Sequence, residues 1–202
     1  MVEVKNHRLG DRRQAFLHAA RDLFVRQGYE TTSLADIVDA AGGSLATLYK
    51  LFGNKAGLLN AIVHEEKAIG VGFIRDAAAA DTDPATALYN LAEAAFSYYT
   101  DPEAIRFMRL MIAVSIAHPE CGQEYFDCSI SQSYQEMEEL FRKWEMRGIV
   151  LNYSPRMLAE MFFSLIAYDL QIQAISMRKE RQLTEENLRK RIDFFLKGAG
   201  LA

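Results

Sequence analysis

The sequence predicts an all-α protein. Three observations carry that reading. Apolar residues recur at three-and-four spacing along most of the chain, capping residues sit beside proline or glycine at the breaks between those runs, and no alternating strand or NG or DG hairpin signal is present.

Phe16, Ala19, Ala20, Leu23 and Phe24 share one face of a first helix that Gly28 stops. Ser33 precedes Leu34, with Asp36 three residues on, so its hydroxyl is placed to cap a short helix over 34–41. Gly42-Gly43 breaks that helix and Ser44 caps the next, a run over 45–51 that ends at Gly53-Asn54. Asn54 opens a long helix over 55–80. Asp83-Pro84, Asp101-Pro102 and Ser154-Pro155 each join a capping side chain to a proline suited to the first helical position, and Pro119-Glu120 and Thr184-Glu185 mark further starts. The breaks predict nine helices, the later ones over 84–100, 102–117, 120–147, 155–180 and 184–198.

The chain has 202 residues, of which 50% are apolar, and only 12 Gly and 4 Pro, a composition that excludes collagen-like and disordered chains. A chain of this length buries roughly 70% of the surface exposed on unfolding, so a substantial core is available. No run approaches about 18 uncharged apolar residues and Met1-Val2-Glu3-Val4-Lys5 lacks the apolar core of a signal peptide, so the expectation is a cytoplasmic protein with no membrane partner. Two cysteines, Cys121 and Cys128, make no disulfide framework. With His118 they make a metal set too thin to support a site, and neither metal nor cofactor is expected. The net charge of −4 is uneven: residues 1–60 carry 8 basic and 6 acidic side chains, whereas the remainder is net negative. Arg8, Arg12, Arg13, Lys50 and Lys55 give the N-terminal segment a modest basic character that suits nucleic acid, or merely a solvated face. No GxSxG, HExxH, P-loop or dinucleotide fingerprint is present, and the Glu65-Glu66, Glu138-Glu139 and Glu185-Glu186 pairs diverge around their helices, so no enzyme is expected.

Two short helices joined by a glycine turn make a helix-turn-helix, whose second helix enters the major groove. Leu48 and Phe52 point one way on that second helix, and Ser44, Leu45, Thr47 and Lys50 point the other. The segment AARDLFVRQGYETTSLADIVDAAGGSLATLYKLFGNKAGLLNAI resembles the DNA-binding domain of the tetracycline-repressor (TetR) family of bacterial regulators, over about residues 12–64. Gly28-Tyr29, Thr32-Ser33, Ile37, Ala41-Gly42, Thr47-Leu48-Tyr49, Phe52 and Lys55 all hold the family's register, and the Gly42-Gly43 pair with Ala46-Thr47-Leu48-Tyr49 is similar to an AefR-type branch. Departures fall at Gly43, where valine is frequent, at Leu45 and at Leu51.

The resemblance implies an N-terminal three-helix DNA-binding domain over 1–54 and a C-terminal effector-binding and dimerisation domain over 55–202. It further implies a homodimer that binds a palindromic double-stranded operator, most often as a repressor, and is released by a small molecule. Carried over by position, Thr47 and Lys50 face the groove, Tyr49 and Lys55 take phosphate contacts, and Arg12, Ser33, Ser44, Leu45 and Ala46 complete the DNA-facing set. For the two serines capping alone is an equal reading, and Leu45 either touches a thymine methyl or packs on the glycine turn. In the second domain Phe96, Tyr99, Phe107, Met108, Met111, Tyr125, Met137, Phe141 and Trp144 suit either an ordinary core or a pocket for an apolar or aromatic effector. Stripes containing Met161, Leu165, Tyr168, Asp169 and Ile172, and Ile192, Phe195 and Leu196, are the expected dimer surface, where family members form a four-helix bundle. Two other classes stay open: a helical interaction module that has lost DNA binding, and an activator.

Overall fold

The computed structural model describes residues 2–80, 82–177 and 183–202, with side chains from Gly10 onward, so Arg8 of the expected basic cluster lies outside the described side chains. All regular elements among the described residues are helical: α1 (Val2–Gln27), α2 (Leu34–Ala41), α3 (Leu45–Phe52), α4 (Lys55–Ala79), α5 (Pro84–Tyr99), α6 (Pro102–Ala117), α7 (Pro119–Tyr125), α8 (Ser131–Met146), α9 (Pro155–Ser176) and α10 (Glu185–Ala199). The single helix expected over 120–147 is interrupted: α7 and α8 are joined without a break by a π-helical turn, Phe126–Ile130. The helix expected to reach residue 180 ends at Ser176, because Met177 turns left-handed (φ 58°) and its N–H closes on the Gln173 carbonyl. Residues 178–182 lie outside the described residues.

The capping chemistry accounts for most of these boundaries. Ser33 Oγ accepts from the Asp36 N–H at 3.1 Å while the Ser33 N–H donates to Asp36 Oδ2 at 2.8 Å, a reciprocal capping box that satisfies two otherwise orphaned donors at the start of α2. The Ser33 backbone bond, and then its hydroxyl, hold the Asp36 carboxyl below its ordinary range. Asp83, Ser154 and Thr184 cap α5, α9 and α10 with one side-chain bond each, accepting from the N–H of Thr86, Met157 and Asn187.

The chain divides into two compact units, Met1–Glu66 with Leu110–Tyr125, and Lys67–Arg109 with Phe126–Ala202. The first unit takes in more than the 1–54 segment expected from sequence, because the start of α4, the end of α6 and α7 pack with the first three helices. Its core holds Phe16, Leu17, Ala20, Phe24, Ile37, Leu48, Leu58, Leu59 and Ile62, each almost wholly excluded from solvent. Burying one such side chain contributes about 1.5–3 kcal/mol before the entropy cost of ordering it. In the second unit α5, α8, α9 and α10 close on a core centred on Phe141, Phe162 and Phe195. Phe162 meets Phe195 edge to face at 5.5 Å between ring centres, and Phe141 meets Trp144 at 5.4 Å.

One difference concerns α9. By length and mean hydropathy (1.2) it alone among the described residues would suit a membrane span, although no such run stands out when charged residues are excluded. It carries Arg156, Glu160 and Asp169, and one face, with Leu158, Phe162, Ile166 and Leu170, is spent in the core of the second unit.

Replacing Ser33 with Ala is expected to lower stability by about 1 kcal/mol, the usual worth of a helix N-cap. A urea titration showing a reduced midpoint at unchanged slope checks this; an unchanged midpoint would show the capping box to be idle.

Candidate functional site

The Gly42-Gly43 turn sets the relation of α2 to α3. Both glycines have positive φ (72° and 109°), and a Cβ on Gly43 would stand 3.1 Å from the Phe16 ring. The valine frequent at this position in similar sequences is therefore not accommodated by this backbone, since a β-branched residue resists positive φ. Arg12 completes the turn: its guanidinium donates to the Ala41 carbonyl at 3.2 Å. Arg13 stacks over Phe52, 5.7 Å from the ring centre.

On α3, Leu48 is wholly buried and anchors the helix, while Leu45, Ala46, Tyr49 and Lys50 are exposed. Tyr49 is 52% exposed, so core packing is not its role. Ser44 caps α3 through the Thr47 N–H at 3.2 Å, and the two hydroxyls pair at 2.9 Å. One hydroxyl hydrogen is used within that pair and the other stays available to an external acceptor. Ser33 and Ser44 thus both cap. Leu45, 42% exposed, lies open to solvent and is not folded into the glycine turn.

The role expected for Lys55 changes. Its ammonium donates to the Tyr29, Thr32 and Glu30 carbonyls at 2.8, 3.1 and 3.4 Å and sits 4.4 Å from the centre of the Tyr29 ring. An ammonium has three donors, and all three are engaged. A phosphate contact would require it to give up carbonyls that have no other described donor, so the structure makes Lys55 the tie between the α1–α2 turn and the start of α4.

Sequence reasoning also missed a cluster around that tie. His118, at the α6–α7 corner, meets Glu30 through Nε2 and stands edge-on to Tyr29, 5.6 Å between ring centres. The hydrogen bond, and the charges behind it, raise the His118 pKa and lower that of Glu30. Burial pushes the Tyr29 hydroxyl up to about 12, so Tyr29 stays neutral. Asn60 on α4 donates to Glu124 on α7 at 2.6 Å. Glu30 and His118 are 88 residues apart, and no local pattern signals such a pair.

The residues expected to line an effector pocket divide between the units. Met111 and Tyr125 belong to the first; Phe96, Tyr99, Phe107, Met108, Met137, Phe141 and Trp144 belong to the second. Met137, Phe141 and Trp144 are core, whereas Phe96, Tyr99 and Met108 are partly buried at its margin. Of the expected dimer residues, Ile192, Phe195 and Leu196 are 0%, 6% and 4% exposed inside one chain and cannot meet a partner. Asp169 is likewise turned inward, paired with Arg191. The correction has a simple cause: α10 carries its apolar stripe inward, and the large apolar residue it presents outward is Phe194, 76% exposed. Met161 and Tyr168 remain exposed on α9, Leu165 and Ile172 lie partly exposed beside them, and Met157 and Ile175 extend the same face.

Glu30 contributes only above its ordinary range near 4.5, and His118 contributes fully below its ordinary 6.5 and loses its effect as pH rises through its raised value. The thermal stability difference between the wild type and His118→Gln is therefore expected to be largest at about pH 5–6 and to shrink as pH rises through the raised His118 value. A difference independent of pH would show that the ring packs but its charge does not matter.

Comparison with known proteins places this geometry. Residues 16–62 match the model for bacterial regulatory proteins of the tetR family, and residues 86–197 match that of the AefR-like transcriptional repressor C-terminal domain. The HTH-type transcriptional repressor ComR of Escherichia coli is 51% identical over 51 residues, 25% of this chain and 24% of ComR. The chain thus matches about a quarter of that relative's length. A TetR-family regulator structure from Mesorhizobium loti is similar with a TM-score of 0.81 at 22% identity, covering 95% of this chain and 98% of that one. FadR from Bacillus subtilis in complex with stearoyl-CoA is similar with a TM-score of 0.74 at 16% identity, over 92% and 98%. The chain belongs to the tetR family of bacterial regulatory proteins, with an AefR-like C-terminal domain.

Proposed function

We propose that this regulator binds a palindromic operator as a homodimer and is released when a small, largely apolar or aromatic molecule occupies its second unit. The observation that carries the DNA half of this reading is the outward face of α3, where Leu45, Ala46, Tyr49 and Lys50 stand free of packing beside the Ser44–Thr47 hydroxyl pair. Thr47 and Lys50 meet base edges and Tyr49 a phosphate, with Arg12 and Ser33 in supporting positions. Two such helices related by a two-fold axis enter successive major grooves about 34–36 Å apart.

The dimer half rests on the exposed stripe of α9, Met157, Met161, Leu165, Tyr168, Ile172 and Ile175, and on the exposed Phe194 of α10. Water contact with so much aligned apolar surface is costly, and burial against the same face of a second copy removes it. The effector half is supported by the aromatic and methionine residues at the margin of the second core, and by a structural relative that holds stearoyl-CoA. Coupling runs along α4, which is unbroken from Lys55 to Ala79 and contributes residues to both units. An effector that favours the form with mismatched recognition helices lowers operator affinity by its differential binding to the two forms. Repression is the sign carried by the name of the relative ComR.

Fluorescence anisotropy with DNA from upstream of the protein's own gene, against unrelated DNA at two salt concentrations, tests the reading. Thr47→Ala is expected to reduce the preference between the two DNAs roughly tenfold, the scale of one base contact. Lys50→Ala is expected to weaken binding to the preferred DNA more than to the unrelated one and to flatten the salt dependence by about one charge. Binding to neither DNA by the wild type would favour a helical interaction module. Tyr168→Glu is expected to convert a sedimenting dimer into a monomer at micromolar concentration, and a dimer that persists would place the interface elsewhere.

A further inference from the structure

The π turn between α7 and α8 carries a hydroxyl with nothing to bond. Ser129 is 9% exposed, its Oγ is shielded from solvent, and it has no hydrogen-bond partner. A helical serine ordinarily donates back to the carbonyl four residues earlier. Ser115, Ser133, Ser164 and Ser176 all do so. Ser129 lies within Phe126–Ile130, where the wider π turn displaces that carbonyl from reach. A buried hydroxyl left unmade costs free energy that the fold recovers nowhere in its own contacts.

Other hydroxyls converge nearby. Ser133, one turn on, spends its hydrogen on the Ser129 carbonyl at 2.9 Å and keeps only lone pairs. Ser133 Oγ and Tyr99 Oη both lie within 4 Å of the point where a Cβ on Gly70 would stand, the tyrosine oxygen at 3.0 Å. Glycine at this place in α4 is what admits the Tyr99 hydroxyl so close to the helix. Phe96, Met108 and Tyr134 are among the partly buried apolar residues packed against the core of the same unit. Of the charged residues along α4 and α8, Arg75 and Glu136 are spent on each other at 2.8 Å, and Lys67 stands three residues before Gly70.

We propose that Ser129, displaced by the π turn beside Ser133, Tyr99 and Gly70, is the hydrogen-bond donor of the effector site and selects a neutral, mainly apolar molecule carrying a carbonyl-type oxygen. The proposal rests on the reading of the second unit as effector-binding. It assigns the ligand's chemical class: an uncharged acceptor on an apolar body, in preference to a plain hydrocarbon, which leaves the hydroxyl unpaired, or a carboxylate, whose desolvated charge a single hydroxyl does not offset.

Isothermal titration calorimetry on the full chain without DNA tests this with three probes of one shape, 2-acetylnaphthalene, 2-ethylnaphthalene and 2-naphthoate. The ketone is expected to bind roughly tenfold more tightly than the hydrocarbon, the scale of one buried hydrogen bond, and the carboxylate most weakly. Ser129→Ala is expected to erase the ketone preference while leaving the hydrocarbon affinity unchanged. Its melting temperature is expected to hold or rise, because no bond is lost. The proposal is overturned if neither ketone nor hydrocarbon binds, if naphthoate binds best, if the preference survives Ser129→Ala, or if that variant melts lower, which would show the hydroxyl to be bonded structurally. Because these measurements contain no DNA, failure of the operator reading shows only in anisotropy and leaves them intact.

Discussion

The Lys55 ammonium holds together the place where the DNA-binding helices begin and the long helix starts. Carbonyls of a turn have few partners, and here those of Tyr29, Glu30 and Thr32 converge on one cation that also lies against the Tyr29 ring. With that turn tied to the first residue of α4, the start of α2 is set by Ser33 and the position of α3 by the Gly42-Gly43 turn. The free face of α3 is a consequence of these constraints. Leu48 is drawn inward, and Leu45, Tyr49 and Lys50 are left outside.

The same tie extends to the α6–α7 corner. Tyr29 is sandwiched by interaction with Phe24, Lys55 and His118, and Glu30 holds His118 from the other side. Residues more than eighty positions downstream therefore belong physically to the DNA-binding unit. The second unit is built on an aromatic core, at which the buried Asp169 carboxylate pairs with Arg191. Against that background the hydroxyl of Ser129 stands out.

Helix positions, caps and the helix-turn-helix were legible because they depend on interactions within a few residues. Ser33 with Asp36, Ser44 with Thr47 and the proline starts all act inside one turn of helix. The two-faced character of α3 could be read for the same reason: its Leu48 and Lys50 differ in direction by helical geometry alone. The interruption at Phe126–Ile130 was not legible, since a π turn inserts no characteristic residue into an otherwise normal helical pattern.

By itself the sequence determined an all-α chain of the tetR family, the boundaries of most helices and the two-faced character of α3, all from local periodicity, capping and a motif held in register. Only the tertiary structure decided that Lys55 serves the fold, that Glu30 meets His118, that Ile192, Phe195 and Leu196 face the core while Phe194 faces out, and that Ser129 is left without a partner. The physical reason is the range of the interactions. An amphipathic stripe specifies that a face will be buried, not which neighbour buries it, and a side chain's polar partners across the fold are selected by packing between segments far apart in the chain.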